Sequence, residues 1–408
     1  MTQTIRVALI VLLVFVWTGI AGSFQAPAPR FATTEKFEVV SSRTVRPGVT
    51  YSFIVDKRGP WRAHVLEIDL RHAELDILAA RALDRLFGRE ATSSIARRHE
   101  TSDRTMIAAI NADFFDLTTG ENENNNVIDA EYAKGTKMTG SPFDTFDNIH
   151  SQFALSIGRK PLLDRFEFVG KVFWNHNNAS DLHGVNDLPK SNSIVLFNHY
   201  YGSSSPTDTL KMDIQELSLH EIKKNQDTSL AIVAAKATSG GSTIGAGMFV
   251  LSGYDLAKPN MISLANIGDT VRIWIGTNPN RGTLKTLVGG WPRIVLDGNN
   301  IGASVDALEG TFPTFSAKRN PRSGVGFSID STTVYFIAVD GRQQSSAGMT
   351  LTEFADLMIF QGVYQGLNLD GGGSTTFVLD GKIMNTPSDA TGERPVGNCL
   401  LLSAPRQQ

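Results

Sequence analysis

The chain has 408 residues, 41% of them hydrophobic, and a formal net charge of −3. That is enough apolar material for a sizeable core, and the charge leaves no basic footprint for nucleic acid. A single cysteine, Cys399, excludes an intramolecular disulfide, so stability must come from packing.

Arg6, the apolar run 7–21 and the small residues Ala21-Gly22-Ser23 have the form of a secretory signal, so residues 1–23 are expected to be cleaved on export. The run is short for a bilayer span, and no later segment is apolar for long enough to be one. No membrane span is therefore expected after cleavage. The expected location is periplasmic or extracellular, in a bacterial envelope. Residues 24–48 are rich in Pro, Thr and Arg and read as an N-terminal tail, and 49–405 read as one domain.

From residue 49 the pattern becomes regular. Strands are expected at 51–55, 63–70 and 74–79 from alternation and β-branched content, a short helix ending at Arg98, and a buried strand at 105–110. Residues 117–150, with the polar run 121–126, read as a long surface loop. Further strands are expected at 152–157, 166–174, 193–197, 230–238, 247–251, 269–276 and 287–297. Asn178-Ala179-Ser180 fits a glycosylation sequon, discounted for a bacterial chain. A hairpin is expected from 324–329 and 333–339 around Asp330-Ser331. A helix follows from Thr350, with Leu351, Phe354, Ala355 and Met358 at helical spacing and a capping box formed by Thr350 and Glu353. A last strand is expected at 396–402, with Cys399 as a buried, inert thiol. Many short strands and few helices indicate an α+β fold: large twisted, mostly antiparallel β-sheets with a few packed helices in a single catalytic domain.

Polar clusters sit at the ends of the apolar runs. Asn111, Asp113 and Asp116 close the 105–110 strand, and Asp113 with Asp116 are candidate ligands for a hard divalent cation. Gly289-Gly290 precede Trp291, a shape suited either to a sugar-stacking wall or to a tight bend with a core aromatic. Arg322 stands at a strand mouth, where its planar fork matches a phosphate. Asp340-Gly341-Arg342 ends another strand. The run from Asn368 to Thr376 places Asp370 before three glycines, Gly371, Gly372 and Gly373, and three hydroxyls, Ser374, Thr375 and Thr376, after them. Glycines there let backbone approach a ligand closely, which suits an anion- or sugar-facing corner. The histidines lack zincin spacing and no Gly-x-Ser-x-Gly elbow occurs, so a zinc enzyme or serine hydrolase is poorly supported.

The ordered set Asn111-Ala112-Asp113-Phe114-Phe115, Gly184-Val185-Asn186, Gly289-Gly290, Asn320-Pro321-Arg322, Val339-Asp340-Gly341-Arg342, Asn368 to Thr375, and Arg394-Pro395-Val396 with Asn398 resembles the phosphodiester glycosidase family, over about residues 50–403. Many relatives carry Asn-Gly-Gly at the first motif, where this chain has Asn111-Ala112-Asp113. The resemblance implies hydrolysis of a sugar-1-phosphodiester at the anomeric carbon. Asp370 and Asp340 would share the water-activating and cation-stabilising roles, and Arg322, Ser374, Thr375 and the glycine run would meet the phosphate. Asn111 and Asn368 would hold sugar hydroxyls, with Asp113, Gly289 and Gly290 shaping the pocket. The expected partner is a carbohydrate phosphodiester or glycan, and no cofactor is expected. Two alternatives stand beside this: a non-catalytic glycan-binding or polysaccharide-assembly protein, and a metal-dependent phosphodiesterase using Asp113 and Asp116.

Overall fold

The strand Thr333–Val339 shows how the layers are organised. Its alternate residues Val334, Phe336 and Ala338 join one hydrophobic cluster, and Tyr335, Ile337 and Val339 join another, so the strand is covered on both faces. It therefore reads as a continuous apolar run rather than an alternating one. The computed structural model describes residues 37–406 except 57, 141–144, 147, 176–177, 188, 208–213, 226, 256, 258–260 and 262–263. The expected signal segment lies outside the described residues.

Thr333–Val339 pairs antiparallel with Trp61–Asp69 on one side and Arg322–Phe327 on the other, within an eight-stranded sheet. The expected hairpin around Asp330-Ser331 is present, with Phe327 opposite Val334. Gln365–Asn368 lies beside Arg322–Phe327, with Asn368 opposite Gly324. One face of this sheet packs on a five-stranded sheet that contains Asp76–Arg81, Arg104–Asn111, Phe377–Leu379 and Asn398–Pro405. The other face carries the helix Leu351–Phe360 through Leu351, Phe354, Ala355, Leu357 and Met358. Gly324 permits that contact, because a Cβ there would come within 2.3 Å of the Met358 terminal methyl and 2.8 Å of the Phe354 ring. The helix Thr92–Arg98 covers the outer face of the five-stranded sheet, where Cys399 is buried. Burial pushes the Cys399 thiol pKa up, in keeping with an inert thiol.

A second eight-stranded sheet, with its own cluster around Phe168, Trp174, Leu217 and Leu251, and a second five-stranded sheet complete the described fold. The α+β reading with mostly antiparallel sheets holds. Among the stretches that differ from the sequence reading, three bear on the fold around the site. Glu38–Arg46, within the expected tail, is a strand paired with Val49–Asp56; its side chains are mostly exposed, so no apolar alternation marked it. The expected strand 287–297 is two strands in different sheets, Leu284–Gly289 and Arg293–Leu296. The chain turns between them at Gly290, where a Cβ would lie 2.7 Å from Leu367 and 2.8 Å from the Asn368 carbonyl. The region 117–150 is not a surface loop throughout. It contains the strands Asn126–Ile128 and Glu131–Lys134, and Asn122, Asn124, Asn125 and Asn126 are fully buried.

The helix before the glycine run starts with the expected capping box: Thr350 Oγ1 accepts from the Glu353 N–H at 3.2 Å, and Glu353 Oε2 accepts from the Thr350 N–H at 2.9 Å. Thr350→Ala is expected to lower unfolding free energy by about 1 kcal/mol. A urea titration checks this, and an unchanged midpoint would show that packing and the Arg319–Glu353 ion pair hold the helix start without the cap.

Candidate active site

The glycine bend joins two packed sheets. The chain leaves the eight-stranded sheet at Asn368 and enters the five-stranded sheet at Phe377, opposite Ile110. Asn111, the last residue of the neighbouring strand, ties the crossing together. Its Nδ2 donates to the Asp370 carbonyl at 2.6 Å, and its Oδ1 accepts from Ser323 Oγ at 2.7 Å and from the Thr376 N–H at 3.1 Å. Asn111 is fully buried and holds the bend, in place of the sugar-binding role expected of it.

Within the bend, the Asp370 N–H donates to the Ala112 carbonyl at 2.8 Å and the Gly372 N–H to the Pro321 carbonyl at 2.9 Å. Gly372 adopts φ +62°, and a Cβ there would meet the Arg342 guanidinium at 2.9 Å. A Cβ on Gly373 would strike Arg394 Nη2 at 2.1 Å and Asp389 Oδ1 at 2.2 Å. The glycines are thus required by two arginines lying against the backbone. Arg342 is exposed and donates to Asn320 Oδ1 at 3.1 Å. Arg394 forms a fork to Asp389, at 2.8 and 3.1 Å.

Two carboxyls meet at this corner. Asp113 is buried, its N–H bonded to Asn398 Oδ1 at 2.9 Å, and its carboxylate accepts from Asn124 Nδ2 at 2.8 Å and the Asn124 N–H at 3.1 Å. Gly289 packs directly on it, since a Cβ there would lie 2.3 Å from Asp113 Oδ1. Burial raises the Asp113 pKa to about 6, against the Asn124 bonds and the charges of Lys134 and Arg81. Asp370 keeps part of its surface open. Its pKa rises to about 7, first through burial and further through the Asp113 charge, while Ser374, Arg394 and the Gly371 N–H pull the other way. Buried acids held near neutrality are what proton transfer at neutral pH needs.

The structure places the other expected residues differently. Asp340, expected to share the water-activating and cation-stabilising roles with Asp370, is tied into local contacts. It is buried, with Oδ1 accepting from the Thr386 N–H at 2.7 Å and Oδ2 3.8 Å from His64 Nε2, and His64 is in turn bonded to Tyr51 at 2.8 Å. Arg322 is also buried. It donates to the Met349, Phe315 and Lys318 carbonyls at 2.9, 3.2 and 2.8 Å, so three of its N–H groups secure local backbone and are not presented to a phosphate. Burial, then the nearby Arg342 charge, lowers its pKa to about 9. Arg342 and Arg394, not singled out for charge in the sequence, are the arginines against the glycines; the close approach demanded by the glycine run was the available signal. Asn368, Thr375 and Thr376 lie beneath the bend, because the turn Gly372–Ser374 folds inward between the sheets. Asn368 Nδ2 donates to the Trp291 carbonyl at 2.7 Å. Among the described residues, Asn368 Oδ1, Thr375 Oγ1 and Thr376 Oγ1 are buried without a hydrogen-bond partner.

Trp291 is the centre of an aromatic stack and no open wall: it is 3% exposed, stacks on Phe315 at 5.3 Å and His150 at 4.8 Å, and bonds through Nε1 to the Glu309 carbonyl at 2.6 Å. The partly exposed rings beside it are Phe114 and Phe315. Asp116 does not join Asp113. It is exposed and accepts from the Thr118 and Thr119 N–H groups at 2.9 and 2.6 Å. Among the described residues, no three His, Cys, Asp or Glu side chains are grouped to hold a metal ion.

Residues 228–403 match the family model described as phosphodiester glycosidase, in line with the resemblance that the motifs carry. The mouse N-acetylglucosamine-1-phosphodiester alpha-N-acetylglucosaminidase is 40% identical over 105 residues, 24% of this chain and 20% of that enzyme. The chain therefore matches about a fifth of that relative's length. Two solved structures share the fold. A hypothetical protein from Synechocystis has a TM-score of 0.66 at 17% identity, covering 89% of this chain and 63% of that one. A protein of Burkholderia pseudomallei described as a candidate exported protein has a TM-score of 0.63 at 20% identity, covering 84% and 74%.

The raised acids carry a stability consequence. Each binds its proton more tightly folded than unfolded, so ionising it costs stability as pH rises from its ordinary value, 3.8, through about 6 for Asp113 and about 7 for Asp370. Asp370→Asn removes one such cost. The variant is expected to be more stable than wild type at pH 8, by about 2 kcal/mol after allowing for the water-facing part of the carboxyl, and to lose that advantage towards pH 4. Urea titrations across this range measure it; a difference that stays constant with pH would show that Asp370 titrates as an ordinary acid.

Proposed function

We propose that the chain is an exported hydrolase that cleaves a sugar-1-phosphodiester, of N-acetylhexosamine-1-phosphate type, at the anomeric carbon, in envelope or exopolysaccharide metabolism. The observation that carries this reading is Asp370, partly open at the end of its strand with a pKa raised to about 7, beside Arg342 and Arg394. As water adds to the anomeric carbon, Asp370 takes its proton, and the bond from that carbon to the phosphate oxygen breaks. The oxygen leaves with the electron pair on a phosphomonoester, a good leaving group that needs little protonation. Arg342 meets the charge that grows on it, assisted by Arg394. Burial, helped by the Asp113 charge, keeps the Asp370 pKa high enough for it to act as a base.

The family match over residues 228–403 supports the reaction class, and the apolar run at 7–21 supports export. With a phosphodiester of N-acetylglucosamine-1-phosphate, the expected products are free sugar and a phosphomonoester, and EDTA leaves the rate unchanged. The wild-type rate should rise with pH through about 7, and Asp370→Asn should cost roughly 10²–10⁴-fold in kcat. Release of sugar phosphate, or a folded Asp370→Asn enzyme of near-normal kcat, would sink the assignment.

The two arginines separate by their environments. Arg342→Ala is expected to fold normally and to raise KM or lower kcat/KM by at least tenfold, whereas Arg322→Ala should lower thermal stability through its released backbone carbonyls. Kinetics together with melting curves decide this; a stable, inactive Arg322→Ala protein would return the phosphate role to Arg322.

A further inference from the structure

A cavity of about 500 Å³ lies against the second eight-stranded sheet, and none of its lining residues belongs to the Asp370 corner. Its size falls in the range of small-molecule sites, roughly 300–1,000 Å³. The floor is apolar, formed by Leu196, Phe249 and Ile273. Trp274 forms a fixed wall. Its Nε1 donates to Asp227 Oδ2 at 2.8 Å, and its ring lies along the strand over Gly276, where a Cβ would stand 2.7 Å from the indole. Without that glycine the indole could not lie flat.

Polar groups converge around this wall, each oriented by a neighbour. Glu221 accepts from Ser229 Oγ at 2.6 Å. Glu131 accepts from Asn198 Nδ2 at 3.2 Å and has Lys224 Nζ at 3.9 Å and His199 Nδ1 at 3.5 Å. A rigid aromatic face beside oriented carboxylates, with an amide and a hydroxyl nearby, matches a pyranose ring, whose C–H face stacks while its hydroxyls donate. Three carboxylates against one lysine disfavour an anion, and Lys224 beside Glu131 disfavours a compact cation.

We infer that this cavity is a second carbohydrate-binding site, for a neutral sugar unit of a longer glycan, separate from the Asp370 corner. On this assignment the enzyme grips its polymer at two places.

The test is calorimetric titration of the full chain with chitohexaose and with maltohexaose. Saturable binding to at least one is expected, weakened at least tenfold by Trp274→Ala and several-fold by Glu221→Gln, and unchanged by Asp370→Asn. Circular dichroism checks folding, and Trp274→Phe, which keeps a ring, should fall between wild type and Trp274→Ala. The inference is overturned if wild type binds neither oligosaccharide, if folded Trp274 and Glu221 variants bind as wild type does, or if binding is lost only in Asp370→Asn. Spermidine binding that is lost in Trp274→Ala, with no oligosaccharide binding, would reassign the cavity to organic cations.

Discussion

The corner depends on one side chain, the Asn111 amide. From the end of a strand in the five-stranded sheet, it bonds to the Asp370 carbonyl and the Thr376 N–H of the bend and to the Ser323 hydroxyl of the eight-stranded sheet. An amide presents a donor and an acceptor on one rigid plane, so it can fix two backbone points and a side chain at once. Buried among apolar strands, those groups would be costly to leave unmet, and the arrangement is correspondingly specific. An acid mounted on such a crossing is held by backbone on both sides, which is the stiffness a reacting group needs.

Burial then sets the chemistry. Asp113 lies under Gly289 with its carboxylate bonded to Asn124, and its charge presses on Asp370. Neither acid is comfortable when ionised, and the fold bears that cost at the place where proton transfer is proposed. The supporting shell is polar and buried: Asn125 donates to the Phe166 carbonyl at 2.5 Å and Asn126 to the Leu287 carbonyl at 2.8 Å. Arg81 is fully buried and donates to Asn126 Oδ1 at 3.3 Å, with its pKa lowered to about 10 by burial. These contacts hold the Asp113 side of the corner.

The same logic divides the arginines. Arg322 stands at a strand mouth as expected, yet three backbone carbonyls absorb its N–H groups and the Phe315 ring lies 5.4 Å away. Arg342 stands exposed with its backbone at φ +59°, a conformation that turns it over Gly372. Residue type was the same in both cases; the surroundings decided which charge faces a ligand and which one holds the fold.

The sequence by itself determined the strands with strong periodicity, the capped helix from Thr350 and the grouping of polar motifs at strand ends, because these follow from local pattern and short-range bonding. It also pointed to the glycine bend, since three successive glycines have few other uses between apolar runs. Only the tertiary structure decided that Asp370 is buried and that the Asp113 charge adds to its raised pKa. Likewise, only the fold could bury the asparagines of 121–126, whose polarity reads as surface until the carbonyls that receive them are in place. The same holds for the break at Gly290, where a continuous apolar run changes sheets because a neighbouring strand leaves no room for a side chain. Local pattern fixes which way a residue faces along its own element. Which charges meet, and which polar groups find partners, depends on segments more than 200 residues apart, such as Asn111 and Asp370.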